Sequence, residues 1–391
     1  KNQKNELELI YNKRIYTREK INSLIKNFFN FTINIIHCET VEKISKIQIA
    51  KPEFISKIIE RESKSLNNFD KNVNLSLIDR VMEISKEFPN NIALRLGHST
   101  ITYETLFKLI ENRVTYLKNI IKEGDKIGVI GYKEFDTFIN ILSLVKMGIT
   151  YVPIDPEYPQ KRQKFILEDS NCSYYIDHNE LKINPNYKLN STSSDPTPLY
   201  ILYTSGTTGT PKGVMIPEAG IIRLINDNNL EELSDGYDTF LQLNSLGFDI
   251  SELEIWLPLT SGKTLEIIPK NYIFDIEKLS QILESDRKFA SIMSFTLLQE
   301  LFSYDNELFN HFKFIITGGE IVKNKLIENI YYSNENITVV NGYGPTENSV
   351  LSTIQIIGRS NKESIPIGKS ISGSSTYILD QFGNVCAPMQ V

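Results

Sequence analysis

Hydrophobic positions follow two regimes along the chain, divided near Ser76. Before it, "TREKINSLIKNFFNFTINII" places Ile21, Leu24, Ile25, Phe28, Phe31 and Ile35 on one face of a helix, with Thr17 as its cap. "LELIYN" ahead of that helix reads as a short strand, and the polar, unpatterned "ESKSLNNFDKNVN" after it reads as a linker. Beyond Ser76, "SLID" predicts a helix opened by a Ser76/Asp79 capping box and closed by Pro89. "IALRLGHSTITY" predicts a hairpin turning at Gly97-His98. "KIGVIG", "TYVPI", "TFLQL", "TLEII", "FKFII" and "ITVVN" then read as strands. Between them "EFDTFINILSLVKMG", "PQKRQKFILEDS", "SELEIWLPLTSG", "IEKLSQILES" and "NKLIENIYY" read as helices. Near-continuous apolar strands alternating with helices predict an α/β fold of parallel sheets covered on both faces. No internal repeat is visible.

Composition narrows the function. A chain of 391 residues accommodates two or three domains, and 41% hydrophobic with 23% charged residues is ordinary for a globular protein. A net charge of −6 argues against nucleic acid as the main partner, since a phosphate backbone calls for a basic face. No apolar run approaches the ~20 residues that span a bilayer, so no membrane partner is expected. No signal-like segment follows Lys1, and the three cysteines (Cys38, Cys172, Cys386) lie far apart. Reduced thiols in a cytoplasmic protein are the expectation, with neither a disulfide framework nor a zinc spacing. His37, His98, His178 and His311 are equally scattered, which weighs against a metal site built on imidazole.

The densest chemistry lies in "LYTSGTTGTPKGVMI", residues 202–216. It is not a Walker A loop, GxxxxGK[ST], which opens a helix directly. Pro211 precedes Lys212, Gly213 stands where serine or threonine belongs, and "VMI" continues as a strand. The expected context is therefore strand, loop, strand. Gly206 and Gly209 allow backbone N–H groups to form an anion nest. Thr204, Ser205, Thr207, Thr208 and Thr210 add hydroxyl donors, and Lys212 adds a mobile positive charge. Phosphate binding is the expected role; a solvent-exposed turn is the bland alternative.

That stretch resembles the phosphate loop of the adenylate-forming (AMP-binding) superfamily, which includes acyl-CoA ligases, luciferases and nonribosomal peptide synthetase adenylation domains. Further blocks carry the resemblance in the family's order: "ITYETL" (101–106), "LVKMGITYVPIDPEYPQKRQKFILEDS" (144–170), "LGFDISELEIWLPLTSG" (246–262), "ITGGE" (316–320), "NGYGPTE" (341–347) and "IPIGKSISGSSTYILDQFGNV" (365–385). It covers residues 76–391. The implied fold is the N-terminal core of an adenylation domain: two mainly parallel, helix-covered sheets (αβαβα) plus part of a smaller β-barrel. Residues 1–40 resemble the tail of a condensation domain, with 41–75 as linker. The family pattern continues past residue 391 into a "GEL" block, a ribose-binding aspartate, a hinge and a C-terminal subdomain whose lysine completes the site. Lys212 is not that lysine, and the fragment on its own is expected to be impaired.

The resemblance implies attack of an amino-acid carboxylate on the α-phosphorus of ATP, giving aminoacyl-AMP and pyrophosphate. The product then passes to the phosphopantetheine thiol of a carrier domain; condensation and carrier domains are the implied partners. Thr204, Ser205, Gly206, Thr207, Thr208, Gly209 and Lys212 would hold the β- and γ-phosphates. Tyr343 would stack on adenine, bordered by Asn341, Gly318 and Gly319, within motifs that also include Glu320, Gly342 and Gly344. Thr346 would meet the α-phosphate and Glu347 would ligate Mg²⁺. Asp249 of "FDIS", beside Phe248, would pair with the substrate's α-ammonium group, favouring an amino acid over an acyl- or aryl-CoA ligase substrate. A capping role at the following helix is the alternative for Asp249, with Ser251 able to supply that cap instead. Ile250, Leu253, Ile292, Ile316, Gly318, Gly342, Val350 and Leu351 would surround the substrate side chain. Their apolar character, with room left by the two glycines, favours Leu, Ile or Val, with Phe at the upper limit. A non-catalytic ligand-binding or docking module is the reading from another class.

Overall fold

The structure, a computed structural model, describes residues 17–36, 52–67, 75–188, 197–204, 210–234, 236–273, 275–359 and 364–386. The chain divides into two compact units, Lys1–Asn68 with Gly373–Val391, and Phe69–Ser372.

In the first unit the expected amphipathic helix runs Arg18–Ile36, and the Thr17 hydroxyl accepts from the Lys20 N–H at 3.3 Å as its cap. Ile21 is buried, whereas Leu24 and Phe28 remain exposed. The segment read as a linker contains a second helix, Pro52–Asn67. Polar residues there mark a mostly solvated helix surface rather than a break, which is why a search for apolar periodicity overlooks it. Its buried Glu62 accepts from the Thr376 N–H at 3.1 Å and from Arg61 at 2.8 Å. The strand expected at "LELIYN" lies outside the described residues.

The second unit carries the alternating pattern. Its strands are β1 (Ile92–Leu96), β2 (Ser99–Thr102), β3 (Lys126–Ile130), β4 (Thr150–Ile154), β5 (Tyr174–Asp177), β6 (Glu180–Ile183), β7 (Tyr200–Thr204) and β8 (Lys212–Ile216). They continue with β9 (Thr239–Gln242), β10 (Thr264–Ile267), β11 (Phe289–Ser294), β12 (Phe312–Gly318), β13 (Thr338–Tyr343), β14 (Thr353–Ile356) and β15 (Lys369–Ser370). One sheet orders them β15-β14-β13-β12-β11-β9-β10-β1-β2 and the other β6-β5-β3-β4-β7-β8. Both are parallel at the centre and antiparallel at the edges: β2, β14 and β15 in the larger, β6 and β8 in the smaller. The central strands bury both faces, and the edges close by hairpins, which only antiparallel pairing permits. Of the expected barrel, the described residues show short edge strands and, in the first unit, a single antiparallel bridge between Leu379 and Val385. The hairpin forms as expected, β1 turning into β2, and Ser76 caps its helix by accepting from the Asp79 N–H, while the Asp79 carboxylate accepts from the Ser76 hydroxyl rather than from the Ser76 N–H that a full capping box would use.

A large apolar cluster joins the inner faces of both sheets through the helices Tyr103–Leu117, Phe135–Lys146, Glu218–Ile225 and Ile250–Leu259. Separate clusters cover the outer face of each sheet. The helix Ile250–Leu259 lies deepest, with every residue from Ser251 to Leu259 buried. Such a helix is expected to be apolar all round, yet it carries two carboxylates. Glu252 faces the smaller sheet, accepting from the Tyr151 hydroxyl and from Trp256 Nε1 at 3.0 Å. Glu254 faces the larger sheet, accepting from the N–H groups of Leu243 (3.1 Å) and Asn244 and from the side chains of Gln242 (2.9 Å) and Asn244 (2.7 Å). Lys133, after β3, donates to the Gln242 and Asn244 carbonyls and to the Gln242 side chain. The two sheets are thereby fastened to one helix by paired polar groups, since an unpaired buried carboxylate would be costly.

Burial raises the Glu252 pKa from its ordinary 4.5 to about 7. The native state therefore keeps a proton that the unfolded chain releases, so this stabilisation is complete below pH 4.5 and lost as pH rises through about 7. Glu252→Gln should remove that loss. Urea titrations should show the variant gaining stability over the parent between pH 5 and 8, by about 3 kcal/mol at most. A pH-independent difference would contradict it. Strands β12 and β13 make a second sensitive contact: a Cβ at Gly318 would sit 2.0 Å from the Gly342 carbonyl oxygen. Gly318→Ala should lower the midpoint of thermal unfolding, at a cost of about 1–3 kcal/mol for backbone displacement.

Candidate active site

The expected site residues gather at the carboxyl ends of parallel strands, where open α/β sheets present their ligand crevices. Thr204 ends β7 and stands directly opposite Lys212, which opens β8. The strand–loop–strand context is thus as read from sequence, with Thr204 half-buried and Lys212 exposed. Ser205, Gly206, Thr207, Thr208 and Gly209 lie outside the described residues.

Gly318 ends β12 beside Gly342 of β13, and the next residue, Tyr343, is half exposed at the strand's end. That gives a ring free to stack beside two strand ends whose glycines present bare backbone. Asn341 is buried, and its side-chain amide donates to the Pro366 carbonyl at 2.9 Å. Glu320 is exposed and accepts from the Thr296 hydroxyl at 2.9 Å.

After Tyr343 and Gly344 the chain enters a 3-10 turn, Thr346–Asn348. The Thr346 hydroxyl donates to the Asp249 carboxylate at 2.7 Å. A residue expected at the phosphate and one expected at the substrate amine therefore touch each other. Burial raises the Asp249 pKa, opposed by the Thr346 hydrogen bond and assisted by neighbouring Glu347. Glu347 itself is exposed.

Neither alternative for capping the Ile250–Leu259 helix holds. Asp249 makes no side-chain cap, and the Ser251 hydroxyl donates to the Phe248 carbonyl at 2.7 Å. The Asp249 carboxylate is left directed to Thr346.

Leu253, Ile292, Ile316, Val350 and Leu351 belong to one apolar cluster, with Ile250 packed against it. Of this expected lining, Ile292 and Ile316 are neighbours across β11 and β12, and Ile316 and Leu351 both border Gly342. The expectation that its glycines leave room is corrected: a Cβ at Gly342 would lie 3.0 Å from Leu351 and 3.1 Å from Ile316, and at Gly318 the Gly342 carbonyl fills the place. Gly318 thus serves close strand pairing, while the space beside Gly342 is already taken by the side chains of Leu351 and Ile316. A cavity of about 610 Å³ opens on the other side of Phe248, between Tyr132, Lys133, Asp155, Asn244 and Thr296. Among the expected substrate residues, Phe248 alone lines it, and it is 60% exposed.

Sequence reading missed the Lys133 and Glu254 network and the Thr346–Asp249 contact, all formed between residues distant in the chain. The one local signal was the pair of glutamates inside the otherwise apolar "SELEIWLPL". Among the described residues no helix is long and apolar enough to cross a membrane, and no three His, Cys, Asp or Glu side chains cluster as a metal cage.

Comparison with known proteins bears on the same residues. Residues 82–391 match the AMP-binding enzyme family. Gramicidin S synthase 2 of Aneurinibacillus migulanus is 28% identical over 397 residues, covering 96% of this chain and 9% of that protein. Tyrocidine synthase 3 of Brevibacillus parabrevis is 24% identical over 400 residues, covering 95% of this chain and 6% of that protein. The chain therefore spans a small part of the curated relatives it matches. Among solved structures, the Klebsiella oxytoca NpsA N-terminal subdomain in complex with 3-hydroxyanthranilyl-AMSN superposes with a TM-score of 0.69 at 25% identity, over 80% of this chain and 84% of that one. PA1221, a nonribosomal peptide synthetase protein containing adenylation and PCP domains, shares the fold with a TM-score of 0.69 at 23% identity, over 83% of this chain and 68% of that one. The strand ends that carry the motifs fall within the matched family region, and the chain belongs to the AMP-binding enzymes, with the fold of a peptide-synthetase adenylation domain's N-terminal core.

Proposed function

We propose that this chain is the amino-acid-activating core of a nonribosomal peptide synthetase module, forming aminoacyl-AMP from ATP and an apolar amino acid. The observation that carries the reading is Asp249, a half-buried carboxylate at the start of a buried helix and held by Thr346, with Leu253 of that helix in the same apolar core as Ile316 and Val350. An α-ammonium group would give that carboxylate its counter-charge. A fatty or aryl acid would leave it without one, at the cost of a desolvated charge.

The substrate carboxylate is itself the nucleophile. Catalysis then consists of positioning it in line with the α-phosphorus and offsetting charge on the phosphates. Thr346 stands beside the ammonium-binding position, so one hydroxyl would register amino acid and nucleotide against each other. Thr204 and Lys212 flank the phosphate loop from paired strands. Magnesium binding commonly uses one or two carboxylates together with nucleotide phosphates, and the exposed Glu347 fits that donor set. When bound, the ion would neutralise phosphate charge. The aminoacyl group would pass to the phosphopantetheine of a carrier domain, and the protein would work in the cytoplasm beside condensation and carrier domains.

One observation favours a second reading: the Klebsiella oxytoca NpsA subdomain binds 3-hydroxyanthranilyl-AMSN. An aryl acid would then replace the amino acid. ATP–pyrophosphate exchange separates the two, run across amino acids and aryl acids on this chain and on a version extended through the C-terminal lysine. An apolar amino acid should support exchange by the extended protein and much less by the chain alone. Exchange only with aryl acids, whether or not the ring carries an amine, would establish the aryl reading, and exchange with neither class would leave a ligand-binding or docking module. Asp249→Ala should raise KM for the amino acid roughly 30-fold or more, the scale of a lost buried ion pair, and KM for ATP far less. Equal effects on both would contradict its role.

A further inference from the structure

The loop that follows Glu347 is strained. Ser349 and Val350 are consecutive non-glycine residues with φ of +57° and +69°. The Leu351 N–H bonds back to the Ser349 carbonyl at 2.9 Å, closing a γ-turn centred on Val350. A γ-turn with positive φ is the rare, unfavourable hand, and a β-branched residue suits it least. Strain of this kind persists only where the surroundings hold it, and it concentrates at ligand sites.

Two features of the neighbouring helix Glu218–Ile225 hold it. Arg223 Nη2 donates to the carbonyls of Asn348 (2.8 Å) and Leu351 (3.0 Å), bracketing both strained residues. One turn earlier, Gly220 lies against Ser349: an added Cβ would meet the Ser349 hydroxyl oxygen at 2.2 Å and its Cβ at 2.8 Å. Only a residue without a side chain lets the loop seat so closely. Held this way, Val350 and Leu351 are buried in the same cluster as Leu253, Ile292 and Ile316. The same loop leads directly from Thr346 and its contact with Asp249.

We propose that Arg223 is a positioning residue for substrate selection: by clamping the Asn348 and Leu351 carbonyls against the helix, it keeps the Ser349–Val350 turn strained and so shapes the pocket wall. It is not among the residues expected to meet nucleotide or the reacting atoms. The inference rests on the proposed function, since it assigns the wall to an amino-acid side chain.

The test uses the 391-residue chain and non-hydrolysable sulfamoyl analogues of leucyl-, valyl- and phenylalanyl-adenylate, with AMP as the nucleotide control, in calorimetric titrations. Arg223→Ala should weaken the preferred analogue by about ten-fold or more, the scale of lost charge-assisted hydrogen bonds, and flatten the preference among the three. AMP affinity should change by less than about two-fold, since the clamp holds the Asn348 and Leu351 carbonyls and not Tyr343, Thr346 or Glu347 themselves. Arg223→Lys, which keeps a cation able to reach a carbonyl, should retain part of the preference. Adding Ser349→Gly to Arg223→Ala should recover affinity, because glycine accepts positive φ without the clamp. Should Arg223→Ala not fold, Gly220→Ala displaces the same loop and should show the same split between analogues and AMP. Unchanged preference in the folded variants, or equal loss for AMP, overturns the positioning role. Failure of the unmutated chain to bind any of the three while binding AMP overturns the proposed function instead, and this inference with it.

Discussion

Everything in the site hangs from one buried helix, Ile250–Leu259, and from the two carboxylates that fasten it between the sheets. Glu252 takes a hydrogen bond from Tyr151 of β4 on one side, besides one from Trp256 within the helix, and Glu254 takes them from Gln242, Leu243 and Asn244 on the other. Charged groups this deep contribute little net stability. What they supply is direction, because a carboxylate with several fixed donors leaves the helix few ways to rotate or slide. The helix begins at Asp249, so fixing it in rotation and depth fixes that carboxylate relative to β12, β13 and the Thr346 turn.

A second consequence concerns how the proposed substrate pocket would be walled. At Gly318 a Cβ would collide with the Gly342 carbonyl oxygen, and at Gly342 one would press on the side chains of Ile316 and Leu351. The remaining side of the wall comes from Val350 in a turn that local preference opposes. Rigid strands on one side and a braced, strained loop on the other make a wall whose shape depends on a few positions. Substrate choice can then change through the loop and its clamp while the sheets stay as they are.

Most of the architecture was legible in the sequence because parallel strands with both faces covered leave near-continuous apolar runs, and the helices between them leave a three-to-four period. The Ser76 cap and the Gly97 hairpin were local enough to read directly. The helix Pro52–Asn67 was not, since its exposed surface resembles a linker in composition. Motif order pointed to Asp249, Tyr343, Thr346 and Glu347 as candidates, but not to the hydrogen bond between Thr346 and Asp249, which joins residues 97 positions apart. Contacts of that kind have no periodicity to betray them. Glycines were misjudged for a similar reason: sequence shows the missing side chain, while only the fold shows that a backbone carbonyl occupies its place.

The central claim is that Asp249, aimed by the buried helix and steadied by Thr346, selects for an amine on the substrate. It is tested most directly by comparing calorimetric affinities of leucyl-sulfamoyl-adenosine and its counterpart lacking the α-amine, on the parent chain and on Asp249→Ala. The account predicts that the amine strengthens binding to the parent by about ten-fold or more, the scale of a desolvated charge pair, and contributes nothing once Asp249 is removed. Equal affinities on the parent, or an amine effect that survives in Asp249→Ala, would contradict it.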